Sequence, residues 1–139
     1  MKVVKSVKVV VICDDSKREL LLQFCTAYKP ILKKCTLFST AFISKVLLSH
    51  ANLKTRSFLD AAQGGIQQIS AHVTCGDFDL VVYFRDSTER ASYESAAYEL
   101  FRLCDLHLIP YATNLATAEV LVQGIPREDF AWRDLVKMG

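Results

Sequence analysis

Apolar residues occur along this chain in two alternating textures: short runs at consecutive positions, and longer segments where they recur every three or four residues. Residues 7–13, Val-Lys-Val-Val-Val-Ile-Cys, are a nearly unbroken β-branched run, as expected of a strand covered on both faces. Asp14-Asp15-Ser16 ends it. Ser16 with Glu19 reads as a capping box, and Leu20, Leu21, Phe24, Cys25 and Tyr28 then recur at helical spacing as far as Pro30. A second strand is predicted over 35–38, a short helix over 41–48, and a weaker third strand near 56–59. Gly64-Gly65 supplies a tight turn into a helix with Ile66, Ile69 and Val73 inward, closed by Gly76. Residues 80–84 form the second clear buried strand. A helix over 89–104 carries Tyr93, Ala97, Leu100, Phe101 and Cys104 on its apolar stripe. A strand over 108–112 follows, placed by Pro110 at an edge or an end, and then helices over 116–123 and 127–137.

This alternation predicts a doubly wound, mainly parallel open sheet of about five strands with helices on both faces, and residues 1–139 as a single domain. Ligands of such sheets bind beyond the carboxyl ends of the strands. The positions to inspect are therefore 14–17, 39–42, 60–68, 85–87 and 113–117.

Composition narrows the function classes. With 51% hydrophobic and 23% charged residues, the chain is a globular protein with a filled interior. No apolar run approaches the ~20 residues that span a bilayer, and the early lysines interleave with apolar residues instead of preceding a leader core. No membrane partner and a cytoplasmic location are expected. Five cysteines, Cys13, Cys25, Cys35, Cys75 and Cys104, are scattered and odd in number, which favours reduced core thiols. With His50, His72 and His107 they give no metal-ligand spacing, so neither a metal nor another cofactor is expected. A net charge of +2 without a basic run among aromatics gives no support for nucleic-acid binding.

Five stretches at the strand tips form an ordered set. They are residues 11–17 (Val-Ile-Cys-Asp-Asp-Ser-Lys), 38–40 (Phe-Ser-Thr), 64–69 (Gly-Gly-Ile-Gln-Gln-Ile), 78–86 (Phe-Asp-Leu-Val-Val-Tyr-Phe-Arg-Asp) and 109–118 (Ile-Pro-Tyr-Ala-Thr-Asn-Leu-Ala-Thr-Ala). In that order they resemble the methylglyoxal synthase family, over nearly the whole chain. The resemblance implies a homo-oligomer, a hexamer in the family. It also implies a reaction that abstracts a proton beside the carbonyl of dihydroxyacetone phosphate and expels phosphate from the ene-diolate. That chemistry needs a carboxylate base, donors for the oxyanion, and a cationic, amide-rich phosphate cradle.

Carried over residue by residue, the resemblance makes Lys17 the phosphate lysine and Thr40 the first threonine of the phosphate loop. Asp14 and Asp86 become the aspartates that follow the first and fourth main strands. The departures concern the reaction. Ile66 stands in the catalytic aspartate slot; Ala41, Phe42 and Ile43 replace the glycine and threonines of the phosphate loop; Asp60-Ala61 replaces a Ser-Gly pair, putting an anion where an anion should bind. Tyr93 and Cys13 stand where the family has histidines, and a basic C-terminal tail is missing.

Three readings follow. The favoured one is a family member with a degenerate active site that binds a small phosphorylated metabolite, phosphate, or a protein partner. The second is an active lyase with a relocated base at Asp14, Asp60 or Asp86. The third is a structural or interaction module whose pocket is filled by Ile66, Phe42 and Ile43. The residues on their own also admit Asp14 and Asp15 as helix caps, Lys17 as a solvated first-turn residue, Thr40 as a cap, Asp86 as a turn residue, and Gln67 and Gln68 as partners of backbone near the glycines.

Overall fold

The computed structural model describes residues 6–131. Five parallel strands, β1 (Lys8–Cys13), β2 (Thr36–Thr40), β3 (Arg56–Phe58), β4 (Leu80–Phe84) and β5 (Tyr111–Ala112), lie in the order β3-β2-β1-β4-β5. The connections carry α1 (Arg18–Ala27), α2 (Lys29–Leu32), α3 (Ala41–Ala51), α4 (Gly65–Thr74), α5 (Glu94–Leu106) and α6 (Leu115–Gln123).

The two-faced burial of the central strands explains their unbroken apolar runs. Val9, Val11 and Cys13 of β1 pack with Leu21, Phe24 and Cys25 of α1, Ile43 and Leu47 of α3, and Ala118 and Val122 of α6. Val10 and Ile12 face the other way, onto Ile66, Ile69 and Val73 of α4 and Ala97, Leu100 and Cys104 of α5. Alternate residues of one strand thus belong to different layers, so no position on β1 beyond its first residue can be polar. The chain winds outward through β2 and β3, then returns to the far side of β1 for β4 and β5. Its direction reverses between β1 and β4, and a doubly wound sheet opens its ligand crevice at such a point.

Several boundaries differ from the periodic expectation. Residues 15–17 form a short 3-10 turn, and Ser16 closes no capping box because its hydroxyl donates to Asp86 Oδ2 at 2.6 Å. Helix α5 starts at Glu94, later than expected, with Tyr93 as its N-cap, still packed against the apolar layer of Ala97 and Leu100. β5 shrinks to two residues at the sheet edge, directly after Pro110. The helix expected over 127–137 is turn structure as far as residue 131, and its remainder lies outside the described residues.

The glycine pair is fixed by backbone geometry. Gly64 has φ +100, in the left-handed region. A Cβ on Gly65 would lie 1.9 Å from the Leu59 carbonyl oxygen, so the entry to α4 presses backbone on backbone. Gly65→Ala is expected to cost about 3 kcal/mol in urea unfolding, and Gly64→Ala about 1 kcal/mol from backbone strain alone. Equal stability of Gly65→Ala and the parent chain would refute the close approach.

Candidate functional site

The crevice between β1 and β4 is occupied by a carboxylate. Asp14, the first residue beyond β1, is 4% exposed. Its Oδ1 accepts from the hydroxyls of Tyr83 (3.0 Å) and Tyr93 (3.2 Å), and its Oδ2 from Arg85 Nε (3.0 Å) and the Asp86 backbone N–H (2.8 Å). Four donors match the roughly four lone-pair directions of a carboxylate. Asp14 stands at the N-cap position of the 3-10 turn over 15–17, but its side chain makes no capping bond.

Arg85 is buried with it, its side chain 8% exposed. It bridges Asp14 to Glu94, whose Oε1 accepts from Nη2 at 2.5 Å, and its guanidinium lies 5.0 Å from the Tyr83 ring centroid and 5.7 Å from that of Phe101. Buried charges must be paired, and here one cation sits between two anions. The Arg85 hydrogen bond holds the Glu94 carboxyl below its ordinary range. Burial first, and then the Asp14 charge, push both tyrosine phenols well above their usual value.

Asp86 belongs to the same tip but faces outward. It accepts from Ser16, from the Thr88 hydroxyl (2.5 Å) and from the Thr88 N–H (2.9 Å). These bonds, with Lys17 nearby, lower its pKa to about 2.

A second arrangement joins the tips of β2 and β3. Asp60, following β3, accepts the Phe42 backbone N–H at 2.9 Å in the first turn of α3. Thr40 is the N-cap of this helix, 6% exposed, yet its side chain makes no capping bond. The Arg18 guanidinium lies 4.7 Å from the Phe42 ring centroid. Phe42 is itself 47% exposed, so it does not fill a cavity, whereas Ile43 and Ile66 are buried, Ile66 at 1%. Ala41 and Ala61 are half-buried, and Cys13 belongs to the layer of α1 and α3. Gln68 Oε1 accepts the Leu59 N–H at 2.8 Å, as the backbone-partner reading expects.

The structure therefore brings Asp14, Asp86 and Tyr93 together, sets Thr40, Phe42 and Asp60 together elsewhere on the rim, and encloses Ile66 in the core beneath. A cleft of about 490 Å³ opens beside β4 and β5, lined by Arg85, Asp86, Thr88, Glu94, Tyr98 and Thr113 among others, and not by Lys17, Thr40, Asp60 or Ile66. It is a rim feature of the 85–93 loop, displaced from the expected cradle. Sequence reasoning flagged position 85 as a strand tip but gave Arg85 no role, and it missed Glu94. An arginine directly after a wholly buried strand was the available signal, since such a charge needs a partner. Among the described residues no group of three or more His, Cys, Asp and Glu side chains is placed to hold a metal ion, and no helix is long and apolar enough to cross a membrane.

No family model matches the chain. Among curated proteins, the methylglyoxal synthase of Alkaliphilus metalliredigens is 39% identical over 129 residues, covering 93% of this chain and 96% of its own length. That of Caldicellulosiruptor saccharolyticus is 39% identical over 128 residues, covering 92% and 91%. A crystal structure of methylglyoxal synthase from Elizabethkingia anophelis matches with a TM-score of 0.79 at 22% identity, covering 84% of this chain and 77% of that one. At that identity the structural likeness speaks for the fold alone.

Asp14→Asn, which removes the charge facing Arg85, is expected to destabilise the chain by about 3–5 kcal/mol in urea unfolding. The raised phenols set an alkaline limit: the unfolded chain releases tyrosine protons near pH ~10 and the folded one only above it, so stability falls as pH rises past ~10. Thermal scans from neutral to alkaline pH check this, and Tyr83→Phe is expected to flatten the decline. An unchanged slope would remove the phenols from the account.

Proposed function

Because the chain belongs to the methylglyoxal synthase family, we propose that it is a member that no longer converts dihydroxyacetone phosphate to methylglyoxal and phosphate, and that it works as a binding or interaction module on the retained fold. One observation carries the reading: Ile66, in the slot the resemblance gives to the catalytic aspartate, is enclosed at 1% exposure among Ile69, Val73 and Phe38. A hydrocarbon cannot take a proton, and a positioned general base is worth roughly 10²–10⁴-fold in rate.

The relocated-base alternatives meet separate obstacles. Both oxygens of Asp14 are occupied by donors, which leaves no lone pair directed at a substrate C–H. Asp86, with its pKa lowered to about 2, is too weak a base near neutral pH. Asp60 is engaged with α3. A small phosphorylated metabolite would have to displace Asp60 to reach the Phe42 N–H. Further copies of the chain are the other partner class that the family resemblance implies.

Incubation with dihydroxyacetone phosphate is expected to yield no methylglyoxal above the uncatalysed background. Turnover abolished by Asp14→Asn or Asp86→Asn would establish the lyase and overturn the proposal. Ile66→Asp is expected to restore nothing and to destabilise the chain by on the order of 3 kcal/mol, because the new carboxyl enters an apolar layer without a partner. Substantial activity in that single variant would show that loss of the base was the whole defect.

A further inference from the structure

We propose that the cleft beside β4 and β5 is a binding site for a zwitterionic α-amino acid with an apolar or aromatic side chain. The cleft is not lined by Ile66, Lys17 or Thr40, and the inference does not depend on whether the inherited reaction survives.

The cleft's volume of about 490 Å³ falls within the ~300–1,000 Å³ of small-molecule sites. Its wall holds a buried cation with an unused end. Arg85, its side chain 8% exposed, directs Nε at Asp14 and Nη2 at Glu94, and its Nη1 donates to no partner among the described residues. The enclosed side-chain atoms left without a partner there are the hydroxyls of Ser44 and Thr55, and Nη1 is not one of them. Its N–H groups therefore open to the cleft that Arg85 lines. Such a guanidinium end is complementary to a carboxylate. The ring centroids of Tyr98 and Phe101 lie 5.8 and 5.7 Å from the guanidinium, and both rings give the cleft apolar surface.

Charge decides what that carboxylate must bring with it. The lining sets two cations, Arg85 and Arg90, against three anions, Asp86, Glu89 and Glu94, and Asp14 pairs with Arg85 as a fourth. Asp86 stays ionised through the neutral range, its pKa lowered to about 2 by the bonds from Ser16 and Thr88. A simple anion such as phosphate would enter against this surplus. A carboxylate that carries its own ammonium group would not: one end meets Nη1, the other faces the carboxylates of the rim, and the molecule is neutral overall. An α-amino acid has both groups on one carbon, which leaves its side chain for the rings. Tyr98, 62% exposed, has surface to spare for that contact.

The test follows calorimetric binding and thermal stability with L-phenylalanine as the probe, beside phenylpropionate, which lacks the ammonium, phenylethylamine, which lacks the carboxylate, and inorganic phosphate. L-Phenylalanine is expected to bind saturably with a Kd of roughly millimolar or tighter. Each truncated analogue is expected to bind about tenfold more weakly or worse, the equivalent of one hydrogen bond to a charged group, and phosphate to give no saturable response. Tyr98→Ala, at an exposed position, is expected to weaken L-phenylalanine several-fold, and Asp86→Asn to weaken L-phenylalanine but not phenylpropionate. Arg85→Lys addresses Nη1 directly, and if it does not fold the Tyr98 and Asp86 variants carry the test. No saturable binding of L-phenylalanine by the parent, equal affinity for the truncated analogues, or unchanged binding in Tyr98→Ala overturns the proposal. Methylglyoxal formation by the parent would overturn the functional reading alone, since the amino-acid titration is scored independently.

Discussion

A carboxylate buried at the point where the sheet reverses direction governs the rest of this structure. Asp14 has lost its water, and its charge is tolerable only because four donors converge on it. They come from β4, from the residues directly after β4, and from the cap of α5. Burying one carboxylate therefore fixes three segments. Arg85, drawn in to pair with Asp14, must itself be balanced, and Glu94 in the first turn of α5 does so. Tyr93 must stand where its hydroxyl reaches Asp14, which makes it the helix cap and leaves the preceding residues as a loop.

The same physics appears on the other half of the rim with a different outcome. Between β1 and β4 a buried anion is matched by side chains recruited to it. Between β2 and β3 an anion, Asp60, is matched by a helix terminus that was already there. Beneath both, Ile66 continues the apolar layer of α4 into the position where the family resemblance places an acid–base group. Acceptors are saturated, a donor is occupied and the slot is hydrocarbon.

The double glycine takes its meaning from this arrangement. Gly65 is required by the Leu59 carbonyl that a Cβ would strike, and Gln68 secures the Leu59 N–H. This backbone need is independent of the side chain at position 66, so the turn places no demand on which residue stands there.

Much of the fold was legible along the chain, because strand and helix periodicity reports which faces are buried, and burial is written locally into consecutive residues. β1 and β4 as covered strands, the edge position of β5, the glycine entry to α4 and the parallel order all follow from it. The departures at Ile66, Phe42, Asp60 and Tyr93 were visible as residue types. Their consequences were not. Ser16 looked like a cap but serves Asp86, Phe42 looked like filler but is exposed, and Asp14 admitted a cap reading but anchors the rim. Polar partners in this chain lie 18, 70 and 79 positions apart, and no local pattern encodes which donor will meet which acceptor. The sequence by itself determined the layers, since hydrophobic burial is non-directional and shows in spacing. Only the tertiary structure decided the state of the site, since hydrogen bonds and ion pairs are directional and depend on which strand tips come to lie side by side.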